Sequence, residues 1–213
     1  MRNLTLEAIR TLFPNGLERS FDRNQIVCYD ADKPNSVFFV LEGHVKLYDI
    51  DDEGNEKVLH INGPRNIFPM LYAFKVETQV NGFYSCIDKT RLLIVPLEEF
   101  RQAAETNLEF SRMLNSWFLV EIQEMIYRLS AMEKTDARNK ILYALKSMTT
   151  YYSHPKGTWL AINFPVTRQF MADYTGLARE TVSIAMTELE RDKIIRKGGL
   201  RTLEVKSSAL PRI

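Results

Sequence analysis

The sequence predicts an α+β fold in which an antiparallel, β-rich first half is followed by a helical second half. Short apolar segments separated by polar turns run from about residue 20 to residue 100, as expected for strands. From Leu97 the apolar spacing changes to that of an amphipathic helix, and neither Gly nor Pro interrupts it before about Glu133. We therefore predict three parts: an N-terminal antiparallel β-roll over residues 1–107, a long helix over 108–134 and a C-terminal domain over 135–213.

Composition excludes several classes of protein. With 213 residues, of which 45% are hydrophobic and 26% charged, the chain can bury real cores, which excludes a disordered or fibrous protein. The net charge of +1 means that any contact with nucleic acid has to be local. Two cysteines, Cys28 and Cys86, cannot form a disulfide framework or a four-thiolate metal site, and no apolar stretch reaches about 18 residues. We expect a cytoplasmic protein with no membrane partner.

The predicted roll rests on a few strand patterns that follow a short helix at residues 4–13. The apolar run at 37–41 lies between polar segments and is typical of a buried strand. Residues 45–48 alternate between apolar and polar, and a polar turn joins them to residues 58–61, which predicts a hairpin. A further strand pair is predicted at 82–87 and 91–95, and together these strands indicate an antiparallel barrel or roll.

The long helix carries an apolar stripe that is typical of a dimer seam. Phe118, Ile122, Met125, Leu129 and Met132 follow one another at spacings of 4, 3, 4 and 3 residues. The spacing alone leaves two interpretations open: dimerisation through a coiled coil, or a stripe that covers a neighbouring core. Beyond a polar break at 133–136, we predict a second amphipathic helix at 137–151 and a loop around 153–157.

The strongest pattern lies in residues 167–183, where the spacing predicts a helix-turn-helix. Such a unit needs a small residue where its helices touch, a glycine in the turn and an apolar β-branched residue in the second helix. Ala172, Gly176 and Val182 occupy these places, and Thr167 can cap the first helix. Residues 193–205 then predict two short strands around a Gly-Gly turn, which would form a wing.

The second helix begins with side chains that suit a DNA major groove. A guanidinium such as that of Arg179 can bind guanine through two hydrogen bonds, and a carboxylate such as that of Glu180 can accept from cytosine. Ser183 is expected beside them. The alternative is that these residues merely form a solvated helix start; the Ala, Gly and Val spacing favours binding to double-stranded DNA.

At this point the sequence resembles the CRP/FNR family of bacterial transcription regulators. The resemblance is carried by residues 40–47, 52–56, 166–169 and 178–182, together with the long helix. It implies a β-roll like a cyclic-nucleotide-binding domain, a dimerising helix and a C-terminal winged helix-turn-helix that binds an inverted repeat. It also implies that Arg179 and Glu180 contact bases and that Thr167, Arg168 and Gln169 hold phosphate. The predicted DNA-binding residues are Thr167, Arg168, Gln169, Arg179, Glu180, Thr181, Ser183 and Ile184.

Departures from the family pattern matter as much as the agreement. Ile184 stands where members resembling the cyclic-AMP receptor have a further Arg, so we expect a different half-site, with a thymine methyl against Ile184. The ribose and cyclic-phosphate places hold residues 69–71 and 80–81, and Val80 offers no charge, so a cyclic nucleotide is not expected. Two cysteines also disfavour a four-cysteine iron-sulfur cluster. We expect no metal and no cofactor.

An apolar and aromatic group remains where the family places its effector. The candidate pocket residues are Phe68, Met70, Leu71, Tyr72, Phe83, Tyr84, Met125 and Ile126. They favour either a pocket for an unknown small molecule or a cavity filled by the protein's own side chains. Cys86 is interpreted in two ways as well, as a redox-responsive thiol or as a buried inert one.

The sequence therefore predicts a homodimeric DNA-binding transcription regulator that is not an enzyme. Residues 154–157 lie where activators of the family contact RNA polymerase, which makes the polymerase a possible partner. The alternative function is a cupin-like ligand-binding or metal-dependent enzymatic roll with an accessory domain. Cupin chemistry needs clustered His and carboxylate ligands, and His44 and His60 are the only histidines of the predicted roll.

Overall fold

The computed structural model describes residues 6–199 and 202–211, and it divides into two compact units between Glu121 and Ile122. Positions 4 and 5 of the predicted first helix and positions 200 and 201 of the predicted wing therefore lie outside the described residues. Among the helices that the structure describes, none is long and apolar enough to cross a membrane.

The first unit consists of two four-stranded antiparallel sheets and the helices around them, as the sequence predicts for a β-roll. The sheets have the strand orders β1-β8-β3-β6 and β2-β7-β4-β5. Its elements are α1 (Leu6–Leu12), β1 (Leu17–Phe21), β2 (Ile26–Cys28), β3 (Ser36–Glu42), β4 (Val45–Ile50), β5 (Glu56–Asn62), β6 (Ile67–Phe68), α2 (Met70–Ala73), β7 (Phe83–Cys86), β8 (Thr90–Pro96) and α3 (Leu97–Thr106). Helix α4 (Leu108–Met132) begins in this unit.

Strand β3 explains why residues 37–41 are apolar without alternation. Phe38 and Val40 face the interior of the roll, where they belong to the core cluster between the two sheets. Val37 and Phe39 belong to a second cluster, the outer core cluster, which includes residues of α1, α3 and the start of α4. A strand that is buried on both faces needs an apolar residue at every position.

Two features of the first unit differ from the sequence prediction. Strands β7 and β8 exist, but they do not pair with each other: β7 pairs with β2 and β4, and β8 pairs with β1 and β3. The short link between them crosses from one sheet to the other, and the N–H of Ile87 donates to the carbonyl of His44 there (2.8 Å). A short link usually indicates a hairpin, which is why the pairing prediction was wrong.

The long helical stretch is also interrupted. Asn107 has extended backbone angles, and its side-chain oxygen accepts from the N–H of Phe110 at 3.0 Å. Asn107 therefore ends α3 and caps α4, because its short amide competes with the backbone for hydrogen bonds. The predicted long helix also starts at residue 108, but the apolar periodicity continues from Leu97 and neither Gly nor Pro marks a break, so the Asn107 cap was not predicted.

Polar contacts hold the end of the first unit's part of α4 against the roll. The carboxylate of Glu121 accepts from the side-chain amide of the buried Asn66 (2.7 Å), and it lies 2.9 Å from Nε2 of His60 in β5. This part of the helix also buries Phe110, Leu114 and Trp117 in the outer core cluster.

The second unit holds the C-terminal part of α4 and the domain that follows. Asp136 caps α5 by accepting from the N–H of Asn139 (2.8 Å), so α5 begins where the sequence predicts. The elements are α5 (Ala137–Tyr151), β9 (Ser153–Lys156), β10 (Trp159–Ile162), α6 (Arg168–Thr175), α7 (Arg179–Arg191), β11 (Ile195–Lys197) and β12 (Leu203–Lys206). The segment that was expected to be a loop at 153–157 is strand β9 and its turn; the sheet order is β11-β12-β10-β9.

We expect Gly43→Ala to destabilise the first unit strongly. Gly43 has a φ of +80°, and a Cβ there would lie 2.5 Å from the carbonyl oxygen of Lys89. The backbone has to shift, so the free energy of unfolding should fall by more than about 2 kcal/mol. The control is Gly54→Ala, where φ is +83° but nothing lies within 4 Å of the added Cβ. Urea unfolding should show a loss of only about 1 kcal/mol for the control; equal losses would contradict the prediction.

Candidate nucleic-acid interface

Helices α6 and α7 have the geometry of a helix-turn-helix, as predicted. The hydroxyl of Thr167 accepts from the N–H of Phe170 at 3.0 Å and caps α6. At the other end, Gly176 has a φ of +70° and its N–H donates to the carbonyl of Ala172 (2.8 Å). A left-handed residue at this place ends a helix at low energetic cost only if it is glycine.

Burial separates the two faces of α7. Its apolar stripe is buried in the second unit: Val182, Ala185, Met186 and Leu189. On the other face Arg179 and Glu180 are exposed, Ile184 is 65% exposed, and Thr181 and Ser183 are half-buried. The structure thus leaves a guanidinium, a carboxylate and a branched apolar group in the first two turns of α7.

The predicted phosphate-binding residues of α6 differ in their surroundings. Thr167 and Gln169 are exposed, and the amide of Gln169 donates to Asp173 (2.7 Å). Arg168 is half-buried: its Nη2 donates to the hydroxyl of Thr187 at 3.4 Å and lies 3.8 Å from the carboxylate of Glu190. Arg168 therefore connects α6 to α7, a role that the sequence did not reveal because it depends on contacts between helices.

The wing contains a charge cluster that sequence reasoning missed. Glu204 of β12 is 2% exposed, and its carboxylate accepts from Lys156 (2.6 Å) and from Arg196 (2.7 Å). These hydrogen bonds, that of Lys156 first, hold the pKa of Glu204 below its ordinary value. The guanidinium of Arg196 also lies 4.1 Å from the ring centroid of Trp159. The only sequence signal is a Glu between two apolar residues of a strand, which does not identify its partners.

Aromatic rings fill the interior of the roll. Phe68 stacks on Phe38 at 5.2 Å and on Tyr84 at 4.7 Å between ring centroids. Val80, where the resemblance places a cyclic-phosphate contact, is 1% exposed, and its N–H donates to the carbonyl of Asp32 (2.8 Å). These aromatic rings and Val80 therefore form part of the buried core of the roll.

The remaining candidate pocket residues are not gathered into this interior. Met70 and Tyr72 pack with the outer core cluster, and Leu71 is 54% exposed. Phe83 stacks on Tyr48 at 5.3 Å. Met125 and Ile126, in the second unit, are both exposed.

Both cysteines lie in the roll core and are poorly ionised. Burial, assisted by the carboxylate of Asp32, raises the pKa of Cys28 to about 12. Burial also raises the pKa of Cys86 to about 11. His44, one of the two histidines of the predicted roll, is buried with its Nδ1 at 2.9 Å from the carboxylate of Asp88.

Helix α4 carries an exposed apolar stripe that agrees in part with the predicted seam. The four predicted members Ile122, Met125, Leu129 and Met132 are each more than half exposed, as are two residues that the prediction omitted from the seam, Leu119 and Ile126. Phe118 differs: it is half-buried, packs against the outer core cluster and lies 5.7 Å from the ring of Phe74. A heptad pattern alone does not separate these residues, because both faces of the helix are apolar here.

Comparisons with known proteins agree with this architecture. Residues 18–107 match the family model described as a cyclic nucleotide-binding domain, and residues 140–208 match the Crp-like helix-turn-helix domain. The chain is 24% identical over 185 residues to the Global nitrogen regulator of Nostoc sp., covering 86% of this chain and 82% of that protein. It is 23% identical over 192 residues to the Cyclic AMP receptor protein of Thermus thermophilus, covering 90% and 85%. A solved structure of a cyclic nucleotide-binding domain containing protein from Listeria monocytogenes has the same fold, with a TM-score of 0.76, 13% identity and coverage of 97% and 94%.

We expect both thiols to be almost unreactive in the folded protein. With pKa values of about 12 for Cys28 and about 11 for Cys86, at most about one thiol in a thousand is ionised at pH 8. A chromogenic thiol reagent should therefore react slowly at pH 8 with the native protein and rapidly, with two equivalents, after unfolding in guanidinium chloride. Rapid labelling of Cys86 in the native state would instead support the redox-responsive interpretation.

Proposed function

Because the chain belongs to the CRP/FNR family of transcription regulators, we propose that it acts as a homodimer that binds an inverted repeat in double-stranded DNA. The observation that carries the proposal is the exposed start of α7, with Arg179, Glu180 and Ile184 held outward by a buried apolar stripe. Such a protein acts on DNA in the cytoplasm. The named relatives are regulators, which supports a non-enzymatic role over the cupin-like alternative.

Each side chain of this surface suits a different feature of the DNA. Arg179 binds guanine through two hydrogen bonds, Glu180 accepts from the amino group of cytosine, and Ile184 packs against a thymine methyl. Ser183 and Thr181 are close enough along the helix to add hydrogen bonds. Thr167, Arg168 and Gln169, at the start of α6, contact phosphate.

The exposed stripe of α4 supplies the dimer contact. Five large apolar residues in the second unit's part of this helix are more than half exposed, which favours association with a second apolar surface. In a parallel pair, the same stripes from two copies cover each other. The two copies of α7 would then enter successive major grooves about 34 Å apart.

The packing of the roll favours regulation without a cyclic nucleotide. A cyclic phosphate needs a cation and amide donors, whereas Val80 is apolar and its N–H is already bonded. The aromatic stack of Phe38, Phe68 and Tyr84 favours a roll that is filled by its own side chains over one with a small-molecule pocket. The amount of protein in the cell would then set its activity.

Strand β9 and the turn that follows it form the surface we propose for contact with RNA polymerase. His154, Pro155 and Lys156 of the strand and Gly157 of the turn are exposed, in the position implied by the resemblance for activators. A polymerase pull-down with the protein bound to its operator, compared with Pro155→Asp, would test this contact.

Selection of DNA sites from a random library by the purified protein tests the function as a whole. Recovery of an inverted repeat without any added small molecule would support both the DNA-binding role and the closed roll. Recovery of no preferred sequence, even after addition of cell extract, would contradict the proposal.

We expect Arg179→Ala to remove the preference for one base pair in each half-site. The loss of a two-bond contact to guanine should weaken binding to the selected site by about 1–3 kcal/mol per half-site. Binding to a site in which that guanine is replaced by another base should stay nearly unchanged. Fluorescence anisotropy with both duplexes measures this difference. The control is Arg191→Ala at the far end of α7, where the Arg191 side chain is 74% exposed. This substitution should change the affinity for both duplexes equally. Uniform weakening by Arg179→Ala would identify a phosphate contact instead.

We expect Leu129→Glu to convert the dimer to a monomer. Leu129 is 60% exposed in the middle of the stripe, and a carboxylate facing its own copy would meet both repulsion and desolvation. Sedimentation equilibrium should show a single chain mass, while binding to an isolated half-site persists. The matched control is Gln123→Glu, an exposed position on another side of the same helix. If Leu129→Glu sediments as a dimer, the stripe is not the seam.

A further inference from the structure

The C-terminal part of α4, residues 122–132, has two different sides. One side is the exposed apolar stripe described above. With 3.6 residues per turn, Glu124, Tyr127, Arg128 and Ala131 fall on another side, and all four contact or are buried in the second unit. This short segment therefore belongs both to the proposed dimer seam and to the domain that carries the recognition helix.

Glu124 makes a buried polar contact to the end of α5. The carboxylate is 5% exposed and accepts from the hydroxyl of Tyr152, with distances of 2.8 Å and 2.9 Å to its two oxygens. Tyr152 caps the C-terminus of α5 and is 4% exposed. A carboxylate in such surroundings is stable only where hydrogen bonds replace the lost water.

Arg128 makes the corresponding contact to α6. Its guanidinium carbon lies 4.4 Å from the ring centroid of Tyr174, and its Nη2 donates to the carbonyl of Tyr174 at 3.5 Å. Tyr174 is in the last turn of α6, two residues before the Gly176 turn that leads to the recognition helix. Tyr174 is 5% exposed and Arg128 is half-buried, and this burial lowers the pKa of Arg128 and raises that of Tyr174.

These two contacts restrict how α4 can pack on the DNA-binding domain. Apolar contacts such as that of Ala131 tolerate small rotations, because dispersion has little directional preference. A hydrogen-bonded carboxylate and a stacked guanidinium lose their stabilisation after a small displacement, and the buried carboxylate is then left uncompensated. The pair therefore favours one angle between the helix and α6.

We propose that Glu124 and Arg128 are positioning residues, which fix the angle between the dimer stripe and the recognition helix and thereby set the half-site spacing that the dimer accepts. This rests on the proposed function, since a spacing exists only for a dimer on an inverted repeat. One base pair of spacing moves a half-site by about 3.4 Å and rotates it by about 35°. If the angle between the dimer stripe and the recognition helix is fixed, the two recognition helices of the dimer cannot both reach half-sites that have been shifted and rotated in this way.

The test measures binding to duplexes that carry the selected repeat with its central spacer changed by one or two base pairs in either direction. The protein should lose about tenfold in affinity for a change of one base pair. Tyr152→Phe and Arg128→Met, which remove the hydroxyl donor and the cation, should reduce that loss to about threefold or less. Preference for the base pair bound by Arg179 and the dimer mass should stay unchanged. Glu124→Gln keeps an acceptor for Tyr152 and should retain the full discrimination.

The controls separate positioning from stability. Tyr143→Phe removes a hydroxyl from α5 without altering Glu124, and it should behave as the unmodified protein. If Tyr152→Phe does not fold, as judged by circular dichroism, Arg128→Met carries the test. Full spacing discrimination in folded Tyr152→Phe or Arg128→Met overturns the proposal, as does a parallel loss of spacing and base preference in either variant. If the unmodified protein binds single half-sites and inverted repeats equally well, the proposed function itself fails.

Discussion

Helix α4 packs in different surroundings along its length, and its sequence has to suit each of them. Near its start it buries Phe110, Leu114 and Trp117 in the outer core of the roll unit. Beyond Ile122 its inward side is polar, with Glu124 and Arg128, while the other side leaves an apolar stripe in contact with solvent. An exposed apolar stripe of this kind favours a covering surface, which a second copy supplies in the proposed dimer.

The roll is stabilised by two core clusters that share one strand. Strand β3 is buried on both faces, so the roll has a core of its own between the sheets and shares a second core with the helices outside. Stacking of Phe68 with two other rings gives that interior dense, directional packing. Such aromatic packing contributes to the stability of the roll beyond the burial of apolar area alone.

Local chemistry predicted the second unit well. The Asp136 cap and the Gly176 turn depend on residues within a few positions of each other, so their sequence signals are sufficient. The long helix was predicted to start at residue 108, as α4 does, but the Asn107 cap itself was not recognised because the apolar periodicity runs through it. The aromatic stack of the roll and the partners of Glu204 join strands that are far apart in sequence, and no periodicity reports such contacts. The pairing of β7 with β4 was not predicted because the short link between β7 and β8 usually indicates a hairpin.

The charges of the DNA-binding unit indicate where its specificity has to come from. Lys156 and Arg196 share the carboxylate of Glu204, Arg168 lies near Glu190, and Arg191 lies 3.5 Å from Asp192. Cations that are already paired release fewer counterions from DNA than isolated ones do, so the sequence-independent part of the affinity should be modest. In the proposed dimer, specificity would then depend on base contacts from each α7 and on both copies binding at once. The second requirement would make the angle between α4 and α6 a determinant of affinity, because simultaneous binding is lost when the geometry is wrong.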